Sequence, residues 1–192
     1  LIATGVYKSR EIKIPGVGID GVVPALDFLT ASNRKSLGDD VAEFDSGVLN
    51  AGNKNVVVIG GGDTAMDCVR TAIRQNAKSV TCLYRRDKVN MPGSQREVQN
   101  AEEEGVNFQW LSAPHVLLGD GSVQAVRARR IHLGQPDETG RQVPQIIENS
   151  DFDVDADLVI KALGFDPEDL PVMFDHPALG VSKWGTIQID WK

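Results

Sequence analysis

The sequence predicts an α/β fold: a Rossmann-like, three-layer domain with a central parallel sheet and an antiparallel β-meander. Two patterns lead to this prediction. Residues 55–111 alternate short apolar segments with helical patterns, in the order β-α-β-α-β with short connections, which is typical of a doubly wound sheet. Residues 114–148 contain strand-like segments separated by two polar, glycine-containing turns, which indicates an antiparallel meander.

Hydrophobic periodicity defines each segment of the parallel part. The first strand is apolar on both faces at residues 56–59, as expected for a strand buried between two layers. The second helix is polar and stops at Gly105, a residue type that favours helix C-termini. In order, the segments are the strand 55–60, the helix 63–75, the strand 79–84, the helix 94–105 and the strand 106–111.

A further apolar strand, residues 156–165, follows the meander. It contains Ala162-Leu163-Gly164, an Ala-x-Gly pattern that also ends the first apolar segment of the chain at Gly5. An Ala-x-Gly strand end lets the backbone approach a phosphate or a ribose, where a Cβ atom would clash. A chance repeat of common residues is the alternative.

Composition argues against several classes of protein. The net charge of −7 disfavours a general nucleic-acid binder. No apolar run is long enough for a membrane span and no signal peptide is visible, so we expect a cytoplasmic protein. Cys68 and Cys82 do not form a C-x-x-C pair and are expected to be buried thiols. The three histidines show no ligand spacing, so no metal site is predicted.

A glycine turn between the first strand and the first helix is the strongest motif. In the G-x-G-x-x-G/A pattern, the first glycine allows a tight turn, the second lets the backbone approach a pyrophosphate, and the alanine lets helix and strand pack closely. The helix N-terminus adds free amides and a positive dipole end. The strand-turn-helix context favours a dinucleotide site over a purely structural turn. The motif consists of Gly60, Gly61, Gly62, Asp63, Thr64 and Ala65.

Two features of this region leave alternatives open. Asp63 places a carboxylate near the expected phosphate, and it is expected either to cap the amides of its own helix or to point away. The second strand ends in Arg85-Arg86 without the acidic residue typical of NAD sites, which favours the 2′-phosphate of NADP(H). The alternatives are a solvated strand end, or Asp87 reaching the ribose.

Other charged and catalytic patterns are less informative. The basic run Arg127-Ala128-Arg129-Arg130 is expected to be a solvated strand face rather than a ligand or partner site. No catalytic residue is predicted, because no Ser-His-Asp set or paired carboxylates can be argued. The chemistry is then expected to come from a second cofactor, positioned by the protein.

Taken together, the motifs resemble the small (beta) subunit family of bacterial NADPH-dependent glutamate synthases, over essentially the whole chain. The wider group includes a domain of dihydropyrimidine dehydrogenase and ferredoxin:NADP oxidoreductase subunits. The resemblance implies an NADPH-binding domain inserted into an FAD-binding domain. It further implies hydride transfer from NADPH to FAD, then electron transfer through iron–sulfur clusters to the large (alpha) subunit. The stretches that carry it are "LIATG", "VVVIGGGDTAMDC", "VTCLYRRDKVNMPGSQREV" and "VIKALGFDPE".

The resemblance also implies residue roles. It assigns residues 60–65 to the NADPH pyrophosphate turn and Arg85 and Arg86 to the 2′-phosphate. It assigns Ala162, Leu163 and Gly164 to the turn by the nicotinamide, and Thr4 and Gly5 to the FAD domain. The Met91-Pro92-Gly93 segment matches a family loop whose role the sequence leaves open.

The resemblance implies three parts: residues 1–50 return from the FAD domain, 51–165 bind NADPH, and 166–192 lead back towards FAD. The family's cysteine-rich segment and first FAD glycine motif are missing, and the chain opens on Leu1. We therefore expect a piece of a longer protein that binds nucleotide without turnover. The alternatives are another flavoprotein subunit, such as a ferredoxin:NADP oxidoreductase, or a non-catalytic nucleotide-sensing module.

Overall fold

The structure is a computed structural model that describes residues 5–137 and 140–189. The chain divides into two compact units, Glu11–Leu163 and a smaller one from residues 1–10 and 164–192. In chain order the elements are β1 (Lys8–Ser9), β2 (Val22–Pro24), α1 (Ala25–Ser36), α2 (Ala42–Asp45), β3 (Asn55–Ile59), α3 (Asp63–Arg74), β4 (Ser79–Leu83), α4 (Gln95–Glu103), β5 (Asn107–Gln109), β6 (Ser112–Leu118), β7 (Ala125–Pro136), β8 (Gln142–Asp155), β9 (Leu158–Lys161), β10 (Phe165–Asp166) and α5 (Leu170–Met173).

A parallel sheet of five strands, in the order β2-β9-β3-β4-β5, forms the centre of the larger unit. Ile59 at the end of β3 lies opposite Leu83 of β4 on one side and Lys161 of β9 on the other. The chain therefore runs outward from β3 through β4 to β5, and later returns to the opposite side of β3. Such a reversal of strand order is where open α/β sheets bind ligands, at the carboxyl ends of the strands.

The side chains of β3 alternate between two cores, which explains why the strand is apolar throughout. Val56 and Val58 pack into a cluster with the buried faces of the helices. Val57 and Ile59 pack into a second cluster with residues of the meander, including Val126. The larger unit is thus layered as helices, parallel sheet and antiparallel sheet. This confirms the predicted α/β fold class.

The meander is an antiparallel sheet in the order β6-β7-β8. Its basic run faces acidic residues on the neighbouring strand. Arg127 pairs with Asp153 at 2.8 Å, and Arg129 pairs with Asp151 at 3.1 Å. These cross-strand pairs are partly exposed, so both arginines reach solvent while they pair across the sheet.

The smaller unit is built around a short antiparallel pair. Strand β1 pairs with β10, and Arg10 Nε bonds Oδ1 of Asp166 at 2.8 Å. Gly5 and Gly164 belong to this unit and adopt left-handed φ angles of +70° and +84°. Such angles favour glycine. Thr4 lies outside the described residues.

Candidate functional site

Gly60 ends the central strand and is fixed by its neighbour in β9. A Cβ atom at residue 60 would lie 2.1 Å from the carbonyl oxygen of Ala162, and the φ angle is +149°. The Ala162 amide donates to the Ile59 carbonyl at 2.9 Å, which holds the two strand ends together. Glycine is therefore required here by packing and by backbone conformation alike.

Gly61 is required by an aromatic ring. A Cβ atom at residue 61 would lie 2.4 Å from Cδ2 of Tyr84. The Tyr84 side chain is buried, and its hydroxyl donates to the Asn90 carbonyl at 3.3 Å. Tyr84 therefore forms a wall beside the turn.

Gly62 differs from Gly60 and Gly61 because no part of the chain that the structure describes requires a glycine there. A Cβ atom there would meet no heavy atom within 4 Å, and the φ angle of −92° suits any residue. The space beside this residue is therefore open to a ligand. This is the observation that fits a backbone approach to a pyrophosphate.

Free amides lie along this turn. The amides of residues 61–64 donate to no acceptor in the part of the chain that the structure describes. Helix α3 begins after Gly62, and no side chain caps its N-terminus. Thr64 is half-buried at this helix start, and Ala65 is fully buried against the core. The free amides and the positive end of the helix can bind an anionic group such as a pyrophosphate.

Asp63 does not cap its own helix, so that alternative was wrong. Its Oδ1 accepts a 2.9 Å hydrogen bond from the amide of Ser94, the residue immediately before α4. The side chain is drawn towards α4 because a backbone donor is available there. The other alternative, a carboxylate engaged away from the turn's own amides, matches this geometry.

Arg85 and Arg86 follow β4 after Tyr84, at the same sheet edge as the glycine turn. Arg85 is exposed and Arg86 half-buried, and neither guanidinium has a partner among residues 5–137 and 140–189. Asp87 Oδ1 accepts bonds from the amide and from Nδ2 of Asn90, both at 2.8 Å. That oxygen is committed to its own loop, which weakens the alternative that Asp87 serves a ribose.

The remaining predicted residues fall in two places. Ala162 flanks Gly60, and Leu163 is half-buried against the core shared by sheet and meander. Gly164 and Gly5 lie in the smaller unit. The structure thus brings residues 60–65, the two arginines and Ala162 to the carboxyl ends of β3, β4 and β9.

Both cysteine side chains are buried in the hydrophobic core. Cys82 Sγ donates to the Gly60 carbonyl at 3.3 Å, behind the turn. Burial raises the pKa of Cys82 to about 12, and burial together with the nearby Asp67 charge raises the pKa of Cys68 further. Both thiols are therefore protonated at neutral pH.

Among the described residues, no group of His, Cys, Asp and Glu side chains could hold a metal ion.

Sequence reasoning missed the contacts that Ser94 and Gly93 make with the turn. The Ser94–Glu97 spacing is typical of a capping box. In the structure, Ser94 makes no side-chain cap bond, and Glu97 pairs with Arg70 of α3 instead. No local signal in the sequence marks a bond between Asp63 and a residue 31 positions away.

Comparison with known proteins identifies the family of this chain. A model of the pyridine nucleotide-disulphide oxidoreductase family matches residues 1–192. The chain therefore belongs to this family of oxidoreductases. Its relatives include the glutamate synthase [NADPH] small chain of Azospirillum brasilense, 66% identical over 99% of the chain. A protein described as a putative glutamate synthase [NADPH] small chain of Cereibacter sphaeroides is 62% identical over the whole chain. The resemblance found in the motifs is thereby confirmed.

The chain spans 39% and 46% of the length of these two relatives. Among solved structures, FprA of Mycobacterium tuberculosis in complex with NADPH has a TM-score of 0.70 at 17% identity, with 88% of this chain and 50% of FprA covered. Thioredoxin reductase of Lactococcus lactis has a TM-score of 0.64 at 24% identity, with 97% and 50% covered. At such identities the likeness shows a shared fold. No helix among the described residues is long and apolar enough to cross a membrane.

Proposed function

We propose that the chain binds NADPH and serves as the nucleotide-binding part of a glutamate synthase small subunit. The observation that carries this proposal is the open space at Gly62, bordered by the free amides of residues 61–64. The similarity to glutamate synthase [NADPH] small chains supports the choice of enzyme.

In this proposal the residues have distinct roles. The amides of residues 61–64 bind the pyrophosphate, and Arg85 and Arg86 bind the 2′-phosphate. Ala162, Leu163 and Gly164 border the nicotinamide half. NADPH, when bound, supplies a hydride, and FAD is the acceptor that the family implies. The protein's contribution is binding and orientation, because the cofactors carry the hydride chemistry.

Further parts of the proposal concern the whole enzyme. A large-subunit partner is inferred from the name "small chain" carried by the relatives, and Gly5 is assigned to the FAD domain together with Thr4. The iron–sulfur clusters that the resemblance implies belong to the full-length enzyme. The domain boundaries at 51 and 165 and a cytoplasmic location remain predictions.

Titration of the chain with NADPH and NADH tests the proposal. Replacing Arg85 and Arg86 with Ala is expected to weaken NADPH binding about tenfold or more, since charge-assisted contacts are lost, and to leave NADH binding nearly unchanged. The matched control is Arg127→Ala with Arg129→Ala, which removes two arginines of the meander. Equal losses for both nucleotides would contradict the assignment to NADPH.

A related candidate is a subunit of another flavoprotein oxidoreductase. The NADPH-Fe(3+) oxidoreductase subunit beta of Geobacter sulfurreducens is 44% identical over 97% of the chain, below the 66% of the Azospirillum relative. This difference favours glutamate synthase. Purification of the enzyme from its source decides between them, because a glutamate synthase small subunit is expected to co-purify with a glutamate-forming large subunit.

A further inference from the structure

The loop between β4 and α4, residues 87–94, is anchored along its length and is called here the 87–94 loop. Asp87 and Asn90 hydrogen-bond within it. Met91 is buried in the core beneath the helices, with 5% of its surface exposed. The loop is therefore held by several contacts, although residues 88–90, 92 and 94 are exposed.

The far end of the 87–94 loop contacts the glycine turn through two backbone amides. Gly93 donates to the Gly61 carbonyl at 3.0 Å, and Ser94 donates to Oδ1 of Asp63 at 2.9 Å. A Cβ atom at residue 93 would lie 3.2 Å from the Gly61 oxygen and 3.4 Å from the Gly62 carbonyl carbon. Glycine at 93 thus allows the loop to lie directly against the turn.

The hydrogen bond from Gly93 determines the direction of the Gly62 amide. In a trans peptide the C=O and the N–H point in opposite directions. Because Gly93 holds the Gly61 carbonyl, the Gly62 amide is directed away from the loop. The Ser94 amide meanwhile holds the Asp63 carboxylate beside α4. Two adjacent glycines would otherwise sample many conformations.

We propose that Gly93 and Asp63 are positioning residues for nucleotide binding: the 87–94 loop orients the Gly61–Gly62 peptide so that its amide faces the pyrophosphate. This inference rests on the proposed function. Asp63 acts in it as a hydrogen-bond acceptor for Ser94, and its negative charge is not required. The loop follows Arg86 directly, so one short segment connects the residues assigned to the 2′-phosphate with the turn assigned to the pyrophosphate.

Two Asp63 variants separate the acceptor from the charge. Asn retains an oxygen that accepts from the Ser94 amide, whereas Ala does not. We expect Asp63→Asn to keep the NADPH dissociation constant within about twofold and Asp63→Ala to raise it about tenfold. Amide hydrogen exchange of the ligand-free chain gives a second readout: the Ser94 amide is expected to lose protection in Asp63→Ala and to keep it in Asp63→Asn.

A steric variant tests the loop from the other side. Gly93→Ala places a methyl group against the turn, and it is expected to weaken NADPH binding about tenfold. Gly18→Ala is the matched control, because a Cβ atom there meets nothing within 4 Å.

A ligand without the pyrophosphate gives a further control for the Asp63 variants. Adenosine 2′-phosphate, which lacks the pyrophosphate, is expected to bind Asp63→Ala and the unaltered chain equally.

The outcomes are distinguishable. If the unaltered chain does not bind NADPH, the proposed function fails, and this inference fails with it. If the unaltered chain binds NADPH and Asp63→Ala binds equally well, the inference alone is overturned. Equal weakening by Asp63→Asn and Asp63→Ala would also overturn it, because the charge would then be what matters. The Asp63 pair decides the question even if Gly93→Ala does not fold.

Discussion

Arg70 of α3 donates two hydrogen bonds to Glu104, the C-cap residue of α4. Arg70 Nε and Nη2 both donate to Oε1 of Glu104, at 2.9 and 2.7 Å, and Nη1 pairs with Glu97. One arginine thus connects both ends of α4 to α3. Since α3 begins at the glycine turn and α4 begins beside it, this contact helps to set the spacing of the two helix starts.

Replacing Arg70 with Gln is expected to destabilise the fold by about 1–2 kcal/mol, because charged hydrogen bonds between the helices are lost. Among the described residues, the substitution leaves Glu104 with one charged partner, Arg74, whose Nη2 lies 3.6 Å from Oε1. Urea unfolding measures the effect. Arg127→Gln, which breaks an exposed pair on the meander, is the control and is expected to cost less. Equal losses would contradict the interpretation.

The same pair predicts an acid-dependent stability. The hydrogen bond from Arg70 holds the pKa of Glu104 below its ordinary value. Stabilisation by this carboxylate is therefore complete above the ordinary glutamate pKa of about 4.3 and is lost as the pH falls through the lowered value. Unfolding from pH 7 down to pH 3.5 is expected to show a flatter acid limb for Glu104→Gln. Parallel pH profiles of stability for the unaltered chain and Glu104→Gln would refute this prediction.

The buried thiols give a prediction about reactivity. Thiolate is the reactive form, and burial raises the pKa of Cys82 to about 12 and that of Cys68 further. At pH 8 both cysteines are expected to resist labelling by a thiol reagent in the folded chain and to react rapidly in urea. Fast labelling of the folded chain would show that the core around Cys82 opens readily.

The layered fold was predictable because its determinants are local. The valines of β3, the glycines after it and the helical spacing of α3 all lie within about twenty residues, and each pattern has one common structural meaning. By contrast, β2 joins the parallel sheet through Val22, which lies opposite Val159. No pattern in a short segment reveals a pairing partner so distant in the chain.

The candidate site was predictable where its residues belong to a local motif. The turn and Arg85-Arg86 follow from motif position, and their role as ligands for a nucleotide remains a prediction. The contacts of Gly93 and Ser94 were not predictable, since each depends on where the 87–94 loop comes to lie against the turn. Ser94 makes no side-chain cap bond, and Glu97 pairs with Arg70, so both residues are engaged by tertiary contacts.

Gly60 and Gly62 provide a contrast between a structural glycine and a ligand-facing one. Gly60→Ala places a methyl group 2.1 Å from the Ala162 carbonyl oxygen. We expect it to destabilise the fold by about 2 kcal/mol or more, because backbone must move. Thermal unfolding measures this. A melting temperature equal to that of the unaltered chain would mean that the strand ends separate easily.

NADPH binding by Gly62→Ala, measured by calorimetry, tests the central claim most directly. The new methyl group meets no protein atom within 4 Å, so the melting temperature is expected to stay within a few degrees of the unaltered chain's. The same methyl group would occupy the space assigned to the pyrophosphate, and the dissociation constant is expected to rise about tenfold or more. A folded variant that binds NADPH as tightly as the unaltered chain would contradict the account.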